Sequence, residues 1–169
     1  MNIGFIGAGN MGGALAASIS KVSSTKVYIY DIIQEKAIEL ANKIGARSVS
    51  FVDAVSSSDI LFLGTKPNIL PSVAAEIGSI AKNSTLLVSM AAGVQISKIE
   101  EALKKRLPII RIMPNTPVLV GEGFTAYAKN DLVTDKNVAD FISLPIKTLP
   151  IFFALCNIRA HLSHSLRML

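Results

Sequence analysis

Glycines 7, 9 and 12 form a turn between an apolar run, Asn2-Ile3-Gly4-Phe5-Ile6, and a stretch in which Met11, Leu15, Ile19 and Val22 recur at helical spacing. The run suits a strand covered on both faces, and the turn opens a helix directly from it. Few other arrangements tolerate three closely spaced glycines in that position. Gly7 permits the tight turn, Gly9 lets the backbone approach a ligand, and Gly12 lets the helix pack on the strand. The first amides of such a helix have no intrahelical acceptor and stand at its positive dipole end. The turn Gly7-Ala8-Gly9-Asn10-Met11-Gly12 is therefore read as a seat for a diphosphate. Nineteen residues after Gly12, Asp31 closes a second strand, Lys26 to Tyr30. A carboxylate there accepts bonds from adenine-ribose hydroxyls and repels a 2′-phosphate, so the pattern points to a dinucleotide site.

The alternation continues down the chain. Gln34 to Ile44 reads as an amphipathic helix, with Ala37, Ile38, Ala41 and Ile44 on one side and Gly45 as its stop. Strands are expected over 59–63, 85–89, 109–113 and 124–128, and a helix over about 69–80. Another helix is expected from Ser97, where Ser97 and Glu100 have capping-box spacing. Strands alternating with helices make right-handed βαβ units. The expected class is α/β, a Rossmann-type doubly wound, mainly parallel sheet with helices on both faces. Such sheets bind ligands at the carboxyl ends of their strands. Four segments fall there: Thr65-Lys66-Pro67, Ser89 to Val94, Arg111 to Pro117, and Gly121 to Thr125. Asn115 and Thr116, between Pro114 and Pro117, offer hydrogen bonds to a nicotinamide amide or a substrate, or else close a turn.

Asp31 is followed by Ile32, Ile33 and Gln34, with no arginine, which leans the cofactor towards NADH; Lys36 reads as a solvated lysine on the helix face, the alternative being a lysine that leans back to a 2′-phosphate. Charge adds little. The chain carries a net +5, but Lys147, Arg159 and Arg167, with no acid after Asp140, supply three of those charges. No interleaving of basic and aromatic residues marks a nucleic-acid surface, so no nucleic-acid partner is expected. With 50% hydrophobic and 17% charged residues the chain is not of disordered composition. At 169 residues it is long enough for one full domain. The single cysteine, Cys156, forms no internal disulfide, and with only His161 and His164 beside it no metal site is expected. No Lys or Arg precedes Lys21, which argues against a signal peptide. The apolar stretch Leu149 to Cys156 is far shorter than the ~20 residues of a membrane span, so no membrane partner is expected and the reading is cytoplasmic.

The opening IGFIGAGNMGGAL, the TKP loop, SMAAGV, and above all RIMPNTP followed by GEGFTAYA resemble pyrroline-5-carboxylate reductase, over roughly residues 1–140. The resemblance implies hydride transfer from NAD(P)H to the C=N carbon of 1-pyrroline-5-carboxylate, a cyclic imino acid, giving L-proline in proline biosynthesis. It implies that Gly7 to Gly12 hold the pyrophosphate and that Asp31 meets the adenine ribose. Thr65, Lys66, Pro67 and Ala92 would line the nicotinamide side. Many relatives look NADPH-preferring, with a small polar residue where this chain has Asp31. The family continues into a helical, homo-oligomer-forming domain with an SGSGPAY-like segment that supplies most substrate contacts. No glycine follows Gly123 here, and residues 141–169 do not match the earlier pattern. The expected organisation is a dinucleotide-binding domain over 1–140 and an atypical tail over 141–169. On this reading the chain carries the cofactor-binding half alone. No catalytic residue is assigned. Other reductases on the same fold acting on imines or hydroxyacids, or a dinucleotide-binding remnant without catalysis, are the alternatives.

Overall fold

The computed structural model describes residues 1–114 and 125–146. Seven strands form one sheet in the order β3-β2-β1-β4-β5-β6-β7. They are β1 (Asn2–Ile6), β2 (Lys26–Tyr30), β3 (Arg47–Ser48), β4 (Ile60–Leu63), β5 (Leu86–Ser89), β6 (Ile109–Pro114) and β7 (Thr125–Lys129). Neighbours pair in parallel except β6 and β7, which are antiparallel. The helices are α1 (Asn10–Ile19), α2 (Gln34–Ile44), α3 (Phe51–Ser57), α4 (Leu70–Ile80), α5 (Ile96–Leu103) and α6 (Asp135–Ile142). The doubly wound α/β class expected from the alternation is the one observed.

Apolar content explains the order of burial. β4 and β5 are buried at every position, as strands covered on both faces must be. Successive side chains point to opposite faces, and the core accordingly divides in two. One cluster joins Ile3, Phe5, Ile29, Phe62 and Val88 to Leu15 and Ile19 of α1 and Phe141 of α6. The other joins Ile6, Leu61, Leu63 and Leu87 to helices α3, α4 and α5. Phe5 and Phe62 face each other across β1 and β4, with rings stacked at 4.7 Å. Each such fully buried ring contributes about 1.5–3 kcal/mol by its removal from water. On the second face, a methyl group on Gly78 of α4 would lie 2.0 Å from the Leu103 carbonyl oxygen, so α4 and α5 meet nearly backbone to backbone.

Four elements depart from the sequence reading. β3 and α3 lie between α2 and β4, where no element is expected. Helix α5 starts at Ile96 with Gln95 as its N-cap and no side-chain cap. Ser97 is thus already inside the first turn, and the Ser97–Glu100 capping box does not form. The box occurs instead at α6, where Thr134 accepts from the Asn137 amide and the Asn137 side chain accepts from the Thr134 amide. Helix α6 also crosses the expected boundary at residue 140. Phe141, Leu144 and Ile146 are buried in the core, and Ser18 of α1 donates to the Pro145 carbonyl at 2.9 Å, so the packed domain includes 141–146. Apolar side chains fixed this result where composition suggested a break. Gly45 does stop α2: it takes the left-handed conformation at φ 69°, and Ala46 N–H donates to the Ala41 carbonyl.

Candidate functional site

The glycine turn stands at the carboxyl end of β1, in the middle of the sheet, with β2 and β4 beside it. Its shape is set by three constraints. Gly7 has φ +106°, a conformation closed to L side chains, and its N–H donates to the Tyr30 carbonyl at 2.7 Å. A methyl on Gly7 would stand 2.8 Å from the Gly64 carbonyl oxygen, so the loop after β4 presses directly on the turn. Gly12 sits in the first turn of α1, where a methyl would stand 2.6 Å from the Gly7 carbonyl oxygen. That contact is the close approach of helix to strand which the spacing predicts.

Gly9 differs. Its φ of −68° is open to any residue, and a methyl there would meet nothing within 4 Å. The backbone therefore needs no glycine at this position, and no described residue stands over it. Gly9 is also the N-cap of α1 and offers no side-chain cap. The first helical hydrogen bond to close the turn runs from Gly13 N–H to the Gly9 carbonyl at 2.7 Å. Among the described residues the amides of Asn10, Met11 and Gly12 donate to no acceptor. Bare amides, the positive end of a ten-residue helix and open space converge at one point, a combination that fits the diphosphate of a dinucleotide.

The neighbouring residues fall into two groups. Asp31 lies just beyond β2, half-buried; its Oδ2 accepts from Ala8 N–H at 2.7 Å and its Oδ1 from Ile33 N–H at 2.9 Å. The carboxylate thus ties the end of β2 to the glycine turn, a contact that the sequence reading did not foresee. Thr65, Lys66 and Pro67 follow β4. Lys66 and Pro67 are exposed, and the Lys66 carbonyl accepts from the Ile69 and Leu70 amides to start α4. The Thr65 Oγ1 is buried and has no hydrogen-bond partner among the described residues. A buried hydroxyl left unpaired costs about 1–3 kcal/mol, and this one stands beside the glycine turn. Ala92 is exposed in the loop after β5, next to Gly93 with φ +75°.

Met90 is a residue whose role the sequence reading left unassigned. Its Cε lies 3.2 Å from where a Gly64 methyl would be and 3.9 Å from that of Gly12. It sits between the loop after β4 and the first turn of α1, and only the glycine pattern around it could have signalled that. Asn115, Thr116 and Pro117 of the RIMPNTP segment lie outside the described residues, as do Cys156, His161 and His164. Arg111 of β6 is described and half-buried beside Ser89 of β5. Among the described residues no three His, Cys, Asp or Glu side chains are grouped to hold a metal ion. No described helix is long and apolar enough to cross a membrane.

Residues 2–93 match the family described as NADP oxidoreductase, coenzyme F420-dependent. The chain belongs to that family. Within it, the similarity to pyrroline-5-carboxylate reductases expected from the motifs is borne out. The Escherichia coli K12 pyrroline-5-carboxylate reductase is 36% identical over 146 residues, which cover 84% of this chain and 54% of that protein. Pyrroline-5-carboxylate reductase 2 of Rattus norvegicus is 39% identical over 136 residues, covering 76% of this chain and 42% of the relative. The crystal structure of Plasmodium falciparum pyrroline carboxylate reductase with NADP bound superposes with a TM-score of 0.75 at 29% identity, over 88% of this chain and 56% of that one. The chain of this oxidoreductase-family member spans about half the length of the relatives it matches.

Proposed function

We propose that this chain is the cofactor-binding half of an NAD(P)H-dependent reductase that converts 1-pyrroline-5-carboxylate to L-proline. The observation that carries the reading is the uncapped start of α1, where among the described residues three amides have no acceptor and nothing stands over Gly9. The identity of 36–39% to pyrroline-5-carboxylate reductases supports the substrate class. A bound dinucleotide supplies hydride to the imine carbon. The chain's residues bind and orient it. Asn10, Met11 and Gly12 amides take the diphosphate, Asp31 takes the adenine ribose, and the Thr65 hydroxyl and the Ala92 loop flank the nicotinamide. Asn115 and Thr116 are assigned to the substrate side, and the cyclic imino acid is the small-molecule partner. The dinucleotide-binding unit is residues 1–140 extended through Ile146, and cytoplasmic placement goes with this metabolic role.

The test is a calorimetric titration of the 169-residue polypeptide with NADH and NADPH, followed by assays of cofactor oxidation with 1-pyrroline-5-carboxylate. Saturable binding is expected, with turnover far below that of a full-length relative. Absence of binding by either cofactor would refute the reading. Faster turnover of a hydroxyacid than of the imine would move the chain to another reductase class.

A further inference from the structure

We infer that Asp31 makes this site prefer NADH over NADPH, and that it does so because its carboxylate is locked in place. The inference rests on the dinucleotide reading above and narrows it to one cofactor. The two oxygens of Asp31 are held by different amides, Oδ2 by Ala8 N–H at 2.7 Å and Oδ1 by Ile33 N–H at 2.9 Å. The carboxylate cannot turn or swing into solvent without giving up a charge-assisted hydrogen bond. Each oxygen has a second lone-pair direction, and those remain for new donors. Ribose hydroxyls are donors and satisfy them. A 2′-phosphate carries about −1.5 to −2 charges at neutral pH and presents acceptors to a group that also only accepts.

A site that takes the phosphate needs a cation to offset this repulsion. Between Lys26 and Lys36 the sequence has none, and Glu35 adds a second negative charge. The residues after Asp31 are Ile32 and Ile33, with 89% and 46% of their surface exposed. Arg47 pairs with Tyr28, short of the carboxyl end of β2. Lys36 is exposed on α2, and the ion pairs among the described residues involve only Lys98–Glu101 and Lys136–Asp140. Among the described residues the rim thus presents a doubly anchored anion beside apolar surface. This sets the chain apart from the Plasmodium falciparum reductase, whose structure holds NADP.

The same carboxylate shapes the glycine turn through Ala8, so Asp31 both reads the ribose and positions the diphosphate amides. The two roles separate in the ratio of affinities. A variant that populates the binding-competent turn less weakens both cofactors by the same factor, which cancels in the ratio. The experiment titrates the 169-residue chain, Asp31→Ser and Asp31→Asn with NADH, NADPH, ADP-ribose and 2′-phospho-ADP-ribose at one salt concentration, with thermal melting as the check on folding. The expected results are NADH binding at least tenfold tighter than NADPH, and the same preference in the ADP-ribose pair. The ratio should fall below threefold in Asp31→Ser, with Asp31→Asn between. Equal or tighter NADPH binding in the unmodified chain overturns this inference and leaves the dinucleotide reading intact. So does an unchanged ratio in Asp31→Ser. Failure of all four ligands to bind the unmodified chain overturns both.

Discussion

Helices α1 and α6 pack on the same face of the sheet and begin in opposite ways. At α6 the chain satisfies its own amides: Thr134 and Asn137 exchange hydrogen bonds across the first turn. At α1 it satisfies none of them with a side chain, and glycine occupies the N-cap. A missing cap is not by itself the mark of a site, because α2, α4 and α5 also lack one. What separates α1 is that its turn is held from three sides while no described residue stands over Gly9. A self-capped helix is finished by its own sequence, whereas α1 is finished by what binds.

That contrast can be attacked directly. Gly12→Ala drives a methyl to 2.6 Å from the Gly7 carbonyl oxygen, a backbone atom with little room to yield. It should lower unfolding free energy by about 1–3 kcal/mol and abolish NADH binding, read by urea denaturation and by titration. Retention of both would mean that helix and strand approach less closely than described. Gly9→Ala sharpens the comparison. Nothing stands within 4 Å, so stability should hold to about 0.5 kcal/mol while NADH affinity falls at least tenfold, about 1.4 kcal/mol. If affinity holds, the ligand does not sit over Gly9. Thr134→Ala should do the reverse at α6. Losing the cap costs about 1 kcal/mol in unfolding and leaves NADH affinity unchanged. A drop in affinity there would show that the two helix starts are coupled.

Much of this was legible in the chain itself. β1, β2 and α2 match the expected spans, and four further strands and α4 agree to within one residue at either end. These elements have apolar runs or strict helical spacing, and both signals come from burial. β3 has two residues, too few for any periodicity, and α3 has seven. The start of α3 was marked, since Ser50 accepts from the Asp53 amide at 3.1 Å, but a short helix gives that mark no periodic support. At α5 a capping spacing was present and unused, because burial of Ile99 and Leu103 set the phase and put Ser97 inside the helix. For α6 the capping residues are in view, but the change of composition after residue 140 masks the continuation of the helix to Ile142. In the site, the glycine spacing carried the geometry of Gly7 and Gly12 faithfully. The bond from Asp31 to Ala8 was not legible, since it depends on the register that sets Ile6 beside Tyr30.

Strand β1 precedes the other six strands in the sequence, yet it lies inside the sheet with Ile3 opposite Val27 on one side and Ile60 on the other. A nascent chain can zip β1 to β2 as soon as α1 has emerged. The other border stays raw until β4 follows, and Ile3 and Phe5 are shielded on that side only then. Assembly therefore waits on a distant partner, and long-range parallel pairing of this kind folds slowly and leaves sticky edges in the meantime. The ligand seat inherits the delay, because the loop behind Gly7 arrives only with Gly64.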